Sequence, residues 1–392
     1  MYRRDPGVDV TLFCVPDDYA TGREPNVVRR LFPQARIVPS REYLRFALGA
    51  TLDGLPPKVD EVLFLGGDLM HAGRVNDRLG GRLRSYKFAR RSLRERLERV
   101  YAVDEANERD IRAASILPER IERVGNLAID GALGEASGRF GSGAPRAAAS
   151  DWGGGVLIMP GSRRLEIANL VPFFLQAAVR LRALAPGLPI AFGISPFTEL
   201  GELETALAGG GDSRFWGTRG RVADTPDGPA LHPLGDAPPF PIVYDAMRAA
   251  SRARCVLTIP GTKCIELAAL GVPTVVCTPL NAPELAVVNG PLQYLGRIPL
   301  AGTALKRAVV MRVSARFPLT AQPNIDAGEM LMPELRGTLT PGRMAARVIE
   351  YLADDVGRAL ASERLRALYA GHAGAAARVA CSLLGVPAEA RA

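Results

Sequence analysis

The stretch Val156-Leu-Ile-Met-Pro160-Gly161-Ser162-Arg163-Arg164-Leu-Glu166 joins a short apolar run to a glycine turn and then to the start of a helix. Such a run is typical of a buried parallel strand. Glycine permits a tight turn and a close approach of the backbone to a ligand, and the free N–H groups of the helix favour an anion. We predict that Gly161, Ser162 and Arg163 bind phosphate. The alternative is an ordinary turn with a serine cap.

The same design returns further along the chain, at Val256-Leu-Thr-Ile-Pro260-Gly261-Thr262-Lys263-Cys264-Ile-Glu266. Here too a strand leads through Pro-Gly and a hydroxyl residue into a helix. A carboxylate in the first turns of such a helix can accept both hydroxyls of a ribose, as acidic residues do in dinucleotide folds. We therefore predict that Gly261, Thr262 and Glu266 contact a nucleotide. The alternative role for Glu266 is to offset the helix dipole.

Alternation of short β-branched runs with helical stretches predicts an α/β fold. The predicted strands are 8–15, 36–38, 59–65, 100–103, 121–124, 156–159, 189–194, 255–259 and 274–277. They form two series, which indicates two Rossmann-like domains facing a cleft at the carboxyl ends of the strands. The predicted parts are an N-terminal domain (1–133), a linker (134–150), a nucleotide-sugar domain (151–340) and a helical segment (341–392). The Gly- and Pro-rich stretch 209–239 is predicted to be a surface excursion.

Composition narrows the classes of protein and partner. The 392 residues include 49 Lys and Arg against 41 Asp and Glu, for a net charge of +8. A basic surface favours anionic partners, and we expect nucleotides and acidic lipids but not nucleic acid. The five cysteines are scattered at spacings that fit no metal site, so buried thiols are expected. No signal peptide follows Met1, and no run approaches the roughly 18 apolar residues of a membrane span. We expect a cytoplasmic protein, or one peripheral to the inner membrane face.

Two further segments extend the pattern. One reads Gln322-Pro323-Asn324-Ile-Asp-Ala327-Gly328-Glu329-Met-Leu-Met-Pro333-Glu334-Leu335, and the other Val124-Gly125-Asn126-Leu-Ala-Ile-Asp130. With the two glycine turns, they resemble the lipid-A-disaccharide synthase family. That family carries Pro-Gly-Ser-Arg, Gly-Thr-x-x-x-Glu and Leu-Pro-Asn-x-x-Ala-Gly…Glu-Leu in this order, and also Val-Gly-His-Pro-x-x-Asp. Gln322 stands in place of the family's Leu, and Asn126 stands in place of its His. The resemblance covers about residues 100 to 355.

The resemblance implies an inverting glycosyltransferase of two domains. Members join a UDP-linked diacylated glucosamine to a monosaccharide lipid on the cytoplasmic membrane face. By the match, Ser162, Arg163, Thr262, Glu266 and Asn324 surround the UDP; an N-terminal helix cap is the alternative for Asn324. Inversion needs a carboxylate that deprotonates the acceptor hydroxyl. The sequence has no Asp-x-Asp signature, and we expect no metal or other cofactor.

The N-terminal half departs from the family pattern. The family's Gly-Glu-Ala-Ser-Gly-Asp loop after the first strand is reduced here to Ala20-Thr21-Gly22, and Asp17 and Asp18 are expected to be turn residues. The family's base lies in a Gly-x-Asp segment after a strand, which Gly66-Gly67-Asp68 matches. We predict Asp68 as the general base, with a helix cap as the alternative. His71 is a weaker candidate.

The basic segment 79–100 carries apolar residues at helical spacing. This pattern predicts either an amphipathic helix that rests on anionic lipid or a solvated helix on the protein core. Two other functions also fit the sequence as a whole: a UDP-sugar-binding homologue without catalysis, favoured by the altered N-terminal loop, and a sugar-nucleotide epimerase. The three histidines fall in no epimerase motif that we recognise, which disfavours the last.

Overall fold

The computed structural model describes residues 1–2, 4–16, 22–139, 152, 154–285 and 302–387. The chain divides into two compact units. The first consists of Met1–Gly131 with Ala370–Ala392, and the second is Ala132–Tyr369. Asp17, Asp18, Ala20 and Thr21, and most of the predicted linker, lie outside the described residues.

The first unit contains two parallel sheets. Its strands are β1 (Thr11–Phe13), β2 (Arg36–Val38), β3 (Glu61–Phe64), β4 (Arg82–Tyr86), β5 (Leu97–Ala102) and β6 (Ile121–Arg123). β1 pairs with β2, and the other four form a sheet in the order β3-β4-β5-β6. The helices are α1 (Glu24–Leu31), α2 (Ser40–Ala47), α3 (Leu69–Leu79), α4 (Glu105–Ala113) and, from the end of the chain, α14 (Ala375–Leu384), while α5 (Leu127–Ala136) runs across the unit boundary.

The second unit is built on one sheet of eight strands. They are β7 (Val156–Met159), β8 (Ile190–Gly193), β9 (Gly220–Thr225), β10 (Gly228–Pro233), β11 (Phe240–Val243), β12 (Cys255–Thr258), β13 (Thr274–Pro279) and β14 (Glu334–Gly337). The order is β14-β13-β12-β7-β8-β11-β10-β9; β10 runs antiparallel to both of its neighbours, β9 and β11, and the other described pairings in this sheet are parallel. The helices are α6 (Arg164–Leu184), α7 (Leu200–Gly209), α8 (Ala246–Ala250), α9 (Thr262–Leu270), α10 (Gly302–Arg316), α11 (Gln322–Ala327), α12 (Pro341–Ala353) and α13 (Asp355–Tyr369).

Helix α6 forms the centre of the second unit's core. By length and composition alone it could cross a membrane. In the structure it packs against α7 and α12, and ten of its residues are buried, among them Phe173 and Phe174. Burial inside the unit accounts for this apolar composition, because a helix surrounded by protein is apolar on most of its faces.

Segment 79–100 does not form the predicted amphipathic helix. It contains β4, a single turn of 3-10 helix at Arg91–Leu93, and the start of β5. The apolar residues assigned to the helix face are all buried in the first unit: Leu79, Leu83, Tyr86, Leu93, Leu97 and Val100. Strands of a parallel sheet are covered on both faces and lose their two-residue alternation, so chance helical spacing misled the prediction. The prediction of a lipid-binding helix at this position is therefore wrong.

The stretch 209–239 is not a surface excursion either. Residues 220–233 within it form the antiparallel hairpin β9–β10, which extends the large sheet and buries Ala230 and Leu231. The turn Pro226-Asp227 between the strands is a recognisable hairpin signal, but the prolines at each end of β10 obscured the strand pattern.

The boundaries of the units also differ from the expected ones. Helix α5 continues to Ala136, so the first residues assigned to the linker are helical. The segment 341–392 is divided: α12 and α13 belong to the second unit, and α14 belongs to the first. Val379 and Leu383 of α14 pack with Tyr86, Tyr101 and Val124 of the first unit, which explains why the chain returns there.

Candidate functional site

The two glycine turns lie side by side at the carboxyl edge of the large sheet. β7 and β12 are neighbouring parallel strands, and their last residues, Met159 and Thr258, are partners in the register. The Thr258 hydroxyl donates to the Met159 carbonyl at 2.9 Å. From β7 the chain proceeds to β8 on one side and later returns to β12 on the other. The two turns therefore flank the point where the strand order reverses, which is where open α/β sheets bind ligands.

The first turn is closed by a carboxylate from its own helix. Glu166 accepts hydrogen bonds from the backbone N–H groups of Ser162 and Arg163, both at 3.0 Å. The Arg163 guanidinium lies 3.5 Å from the same carboxylate. Gly161 has a φ of +105°, and a Cβ there would lie 2.5 Å from Glu166 Oε2. The Glu166 carboxylate is thus hydrogen-bonded to the N–H groups that we predict to bind phosphate.

The second turn is open. Gly261 has an extended backbone, and a Cβ there would meet no atom within 4 Å. Gly261, Thr262 and Lys263 are exposed, and Lys263 Nζ pairs with Glu266 Oε2 at 2.9 Å. The Glu266 side chain, which we predict to bind the ribose, is mostly buried and is paired with Lys263 in this conformation. A hydroxyl, a backbone amide and a cation are nevertheless accessible at the N-terminus of α9.

Asn324 occupies a fully buried position inside α11. The residue before that helix is Ala321, so Asn324 is not the N-terminal cap. Its amide nitrogen donates to the Met332 carbonyl and to Glu334, both at 2.7 Å, and its oxygen accepts from the Met332 N–H at 2.8 Å. These bonds use both N–H donors of the amide and one acceptor position of its oxygen. In this conformation Asn324 shapes the turn before β14 and does not present its side chain to a ligand.

Glu334 fixes the start of α11. Its carboxylate accepts from the backbone N–H groups of Thr320 and Ala321 at 2.8 and 3.0 Å. The Thr320 hydroxyl also contacts the Thr278 hydroxyl, at the end of β13, at 2.8 Å. α11 packs against α9. The third sequence segment therefore lies beside the second turn and supports it.

Glu135 is a residue that sequence reasoning missed. Its carboxylate accepts from the Met247 N–H, at the start of α8, at 2.8 Å. Burial raises the pKa of Glu135, and the negative charges of Asp245 and Glu266 add to the rise. The Met247 N–H and the charge of Lys263 act in the opposite direction. It stands in the segment assigned to the linker, and a contact 112 residues away leaves no local sequence signal.

The cysteine between the second turn and Glu266, Cys264, is a buried thiol. Burial, together with the negative charges of Glu334 and Glu266, raises the pKa of Cys264 to about 11, although a Gly261 backbone hydrogen bond lowers it. A thiol with this pKa is protonated near neutral pH. The described residues also contain no group of three His, Cys, Asp or Glu side chains that could hold a metal ion.

Asp68 lies in the first unit, whereas the seven other predicted site residues lie in the second. It is the N-cap of α3, where its carboxylate accepts from the Met70 N–H at 2.9 Å. Arg90 pairs with its other oxygen at 3.2 Å, and about half of the side chain is exposed. This is the capping role that the sequence left as the alternative. His71, one turn further on, contacts the Tyr43 hydroxyl through Nδ1 at 2.7 Å.

Comparison with known proteins gives relatives in sequence and in fold. The chain is 29% identical over 234 residues to a lipid-A-disaccharide synthase of Anaeromyxobacter sp. (strain K), which is 59% of this chain and 49% of that protein. It is 28% identical over 198 residues to that of Geobacter sulfurreducens, covering 50% and 39%. The matches thus span about half the length, or less, of these curated relatives. No family model matches the chain.

Two solved structures share the fold along nearly the whole chain. A candidate UDP-N-acetylglucosamine 2-epimerase from Listeria monocytogenes has a TM-score of 0.51, 12% identity and 96% coverage of both chains. S. aureus MnaA in a co-structure with UDP has a TM-score of 0.50, 11% identity and coverage of 98% and 99%. At such identity the likeness establishes the fold only. The chain is therefore a sequence relative of the lipid-A-disaccharide synthases with the two-unit α/β fold of GT-B-type UDP-sugar enzymes.

Proposed function

We propose that this protein is a UDP-sugar-dependent glycosyltransferase that moves a glucosamine-type sugar, acylated or not, to a lipid-linked or other sugar acceptor with inversion. The observation that carries the proposal is the pair of Pro-Gly turns at the ends of β7 and β12, where the strand order reverses. The sequence relationship to lipid-A-disaccharide synthases favours UDP-sugar chemistry at this position over that of other nucleotides.

The diphosphate is bound between the two turns. On the first turn, the N–H groups of Ser162 and Arg163 and the Arg163 guanidinium donate hydrogen bonds to its oxygens once Glu166 has moved away. On the second, Thr262 and Lys263 approach from the N-terminus of α9, and Glu266 is released from Lys263 to take the ribose hydroxyls. Fixed donors of this kind stabilise the UDP leaving group as the sugar–phosphate bond breaks, which is the task a metal performs elsewhere.

Asp68 is proposed as the base that takes the proton of the acceptor hydroxyl. For this its carboxylate must exchange the Met70 N–H and Arg90 for the acceptor, and its exposure permits the exchange. The present contacts of Asp68 with the Met70 N–H and Arg90 favour a second candidate function, a UDP-sugar-binding protein without catalysis. We place the protein on the cytoplasmic side of the membrane, in accordance with its proposed donor.

Binding of UDP tests the proposed site directly. Calorimetric titration should give saturable, one-to-one binding of UDP and weaker binding of uridine, because the diphosphate supplies most of the contacts. Gly261→Ala should reduce UDP affinity by about tenfold, since its Cβ enters the open space above the second turn. The same variant should unfold at the parent's temperature, because that Cβ meets no protein atom. Absence of UDP binding by the parent protein, or full affinity in Gly261→Ala, would contradict the site.

The reaction itself is assayed by product identification. Purified protein is incubated with UDP-N-acetylglucosamine or an acylated UDP-glucosamine and a monosaccharide lipid, and the products are separated by mass. The transferase is supported if the parent protein forms a disaccharide and UDP, and if Asp68→Asn forms neither but still binds UDP. UDP binding without any product supports the non-catalytic candidate, and a 2-epimer of the donor formed without acceptor identifies an epimerase.

A further inference from the structure

A tyrosine–histidine pair lies in the first unit where two helices begin, each just beyond the carboxyl end of a strand. Tyr43 belongs to α2, which follows β2, and His71 belongs to the first turn of α3, which follows β3. The Tyr43 hydroxyl and His71 Nδ1 are 2.7 Å apart, and the two rings meet edge to face with their centroids 5.2 Å apart. The proposed function uses neither residue.

Tyr43 is held in place by its packing. It is 1% exposed, and Phe13 at the end of β1 lies edge to face with its ring at a centroid distance of 6.2 Å. Burial raises the pKa of the Tyr43 hydroxyl, against the opposing effect of the Arg74 charge. The hydroxyl therefore keeps its proton near neutral pH, and a buried hydroxyl needs an acceptor for that proton.

This need decides which nitrogen of His71 carries the hydrogen. Among the described residues, the Tyr43 hydroxyl forms no hydrogen bond other than the one with His71. If His71 donated from Nδ1, the tyrosine proton would be buried without an acceptor, which is unfavourable. Tyr43 therefore donates to Nδ1, and the neutral imidazole carries its hydrogen on Nε2.

The Nε2–H group is available to a ligand. Within the part of the chain that the structure describes, His71 Nε2 has no hydrogen-bond partner, and the side chain is partly exposed. A neutral donor whose orientation is fixed from the opposite side of the ring is suited to binding a neutral oxygen atom.

Asp68 supplies an acceptor beside this donor. It lies three positions before His71, and the His71 N–H donates to the Asp68 carbonyl at 3.0 Å. Side chains at the N-cap and three residues later lie on the same side of a helix. A carboxylate beside an N–H donor matches two neighbouring oxygen atoms of a sugar, because one hydroxyl donates to the carboxylate while the next oxygen accepts from the imidazole.

We propose that His71, positioned by Tyr43, binds the acceptor sugar through Nε2–H, at the oxygen next to the hydroxyl that Asp68 deprotonates. The inference deepens the proposed function and rests on it for the role of Asp68 and for the sugar acceptor. A sugar without an oxygen at that position leaves the N–H group unpaired, so His71 selects among acceptors. The role of His71 as general base requires the opposite tautomer.

Nitrogen-15 NMR of histidine-labelled protein tests the tautomer without UDP or turnover. The chain has three histidines, and His71 is assigned by the loss of its signals in His71→Gln. At about pH 8.5, above the pKa of about 6.5 of a free imidazole, His71 should carry its hydrogen on Nε2. Tyr43→Phe should move the Nδ1 resonance towards that of a nitrogen without a donor.

Two residues provide controls for this spectrum. His232 Nδ1 lies 2.7 Å from the Pro233 carbonyl oxygen, which can only accept, so His232 should show the opposite tautomer. Tyr351→Phe removes another buried tyrosine hydroxyl, in the second unit, and should leave the His71 resonances unchanged.

Titration with N-acetylglucosamine tests the binding role. The sugar should shift the His71 Nε2 resonance and leave those of His232 in place. His71→Leu should weaken sugar binding by about five- to tenfold, because one hydrogen bond is lost. His71→Gln, which keeps an N–H donor, should stay within about twofold of the parent, and Tyr43→Phe should bind about threefold more weakly because the donor is less fixed. In the transfer assay, His71→Leu should change the acceptor KM more than kcat, whereas Asp68→Asn acts on kcat.

Each part of the proposal has a result that overturns it. A hydrogen on Nδ1 of His71 in the parent, or an Nδ1 resonance that Tyr43→Phe leaves unchanged, would refute positioning by Tyr43. Absence of a sugar-induced shift at Nε2, or full sugar affinity in His71→Leu, would refute the binding role. Circular dichroism shows whether each variant is folded.

These outcomes are separate from those that test the proposed function. A protein that binds UDP and forms product but lacks the His71 properties refutes this inference alone. A protein that shows them but does not bind UDP refutes the proposed transferase and leaves His71 as part of a sugar-binding site.

Discussion

At the scale of single residues, Glu166 is the side chain that competes most directly with the proposed phosphate for the first turn. Its carboxylate accepts from two backbone N–H groups and lies beside the Arg163 guanidinium. A phosphate arriving at the first turn needs the same donors and carries the same sign of charge. Charge-assisted hydrogen bonds are about twice as strong as neutral ones, so displacing this carboxylate opposes ligand binding.

Glu166→Gln should therefore increase UDP affinity, by about five- to tenfold, because a neutral amide is displaced more easily than a carboxylate. The free energy of unfolding should fall by roughly 1 kcal/mol, because the helix loses a negative charge at its N-terminus. Calorimetric titration and urea unfolding measure the two effects.

A glutamate on another helix provides the control. Glu350→Gln on α12 removes a carboxylate that also has an arginine partner three residues away, Arg347, and should leave UDP affinity unchanged. A Glu166→Gln protein that binds UDP less tightly than the parent would show that Glu166 supports the bound state.

At the scale of elements, a short segment before β9 is held by an ionic clamp. Arg214 donates to both oxygens of Asp212, at 2.9 and 2.7 Å, and pairs with Glu284 from the turn after β13. The hydrogen bonds from the Arg214 side chain, with its backbone N–H and its charge, lower the pKa of Asp212 from 3.8 to about 2. The folded protein therefore binds the Asp212 proton less readily than the unfolded chain does.

Stability should consequently depend on pH in the acid range through Asp212. The contribution is complete above about pH 4 and is lost as the pH falls towards 2, because protonation removes the clamp. After allowance for solvent screening it amounts to about 1 kcal/mol. Asp212→Asn should remove this part of the pH dependence in urea unfolding measured at a series of pH values.

The tip of the β9–β10 hairpin offers the comparison. Asp227 is exposed there, and Asp227→Asn should retain the parent's acid profile. If Asp212→Asn and the parent protein lose stability in parallel between pH 4 and pH 2, the clamp does not contribute.

At the scale of the whole molecule, the end of the chain completes the first unit. Asp130 accepts hydrogen bonds from the N–H groups of Gly374 and Ala376, at 2.7 and 2.6 Å, and so caps α14. Arg378 on that helix donates to the Val124 carbonyl at 2.7 Å. The Val-Gly-Asn…Asp segment, for which the sequence implied a family motif, thus joins parts of the chain about 250 residues apart in sequence.

Asp130→Ala should destabilise α14 by about 2 kcal/mol, because two backbone donors lose their acceptor. Hydrogen exchange followed by mass spectrometry should show a loss of amide protection of about 30-fold in Ala375–Leu384, with the strands β7 and β12 unchanged. Asp110→Ala, at an exposed position of α4, is the control. Unaltered exchange in α14 of the Asp130→Ala protein would contradict the capping role.

Local patterns in the sequence were sufficient for the fold class and for the two glycine turns. β2 and β7 begin and end at the predicted residues, since short apolar β-branched runs before a turn have few alternative structures. The prediction that the two turns cooperate also rests on the sequence, because the carboxyl ends of parallel strands meet at one edge of a sheet. Segment 79–100 and the hairpin β9–β10 were predicted wrongly, because burial on both faces and terminal prolines obscure a strand.

Only the tertiary structure decided what the site residues touch. The sequence names Ser162, Arg163 and Glu266, but their present partners, Glu166 and Lys263, follow from side-chain packing and charge at two helix termini. It names Asn324 without indicating that burial and three hydrogen bonds occupy the amide. It offers no signal for the contact of Glu135 with Met247 or for the return of α14 to the first unit. Sequence periodicity records which residues are buried locally, whereas contacts between distant segments depend on the complete path of the chain.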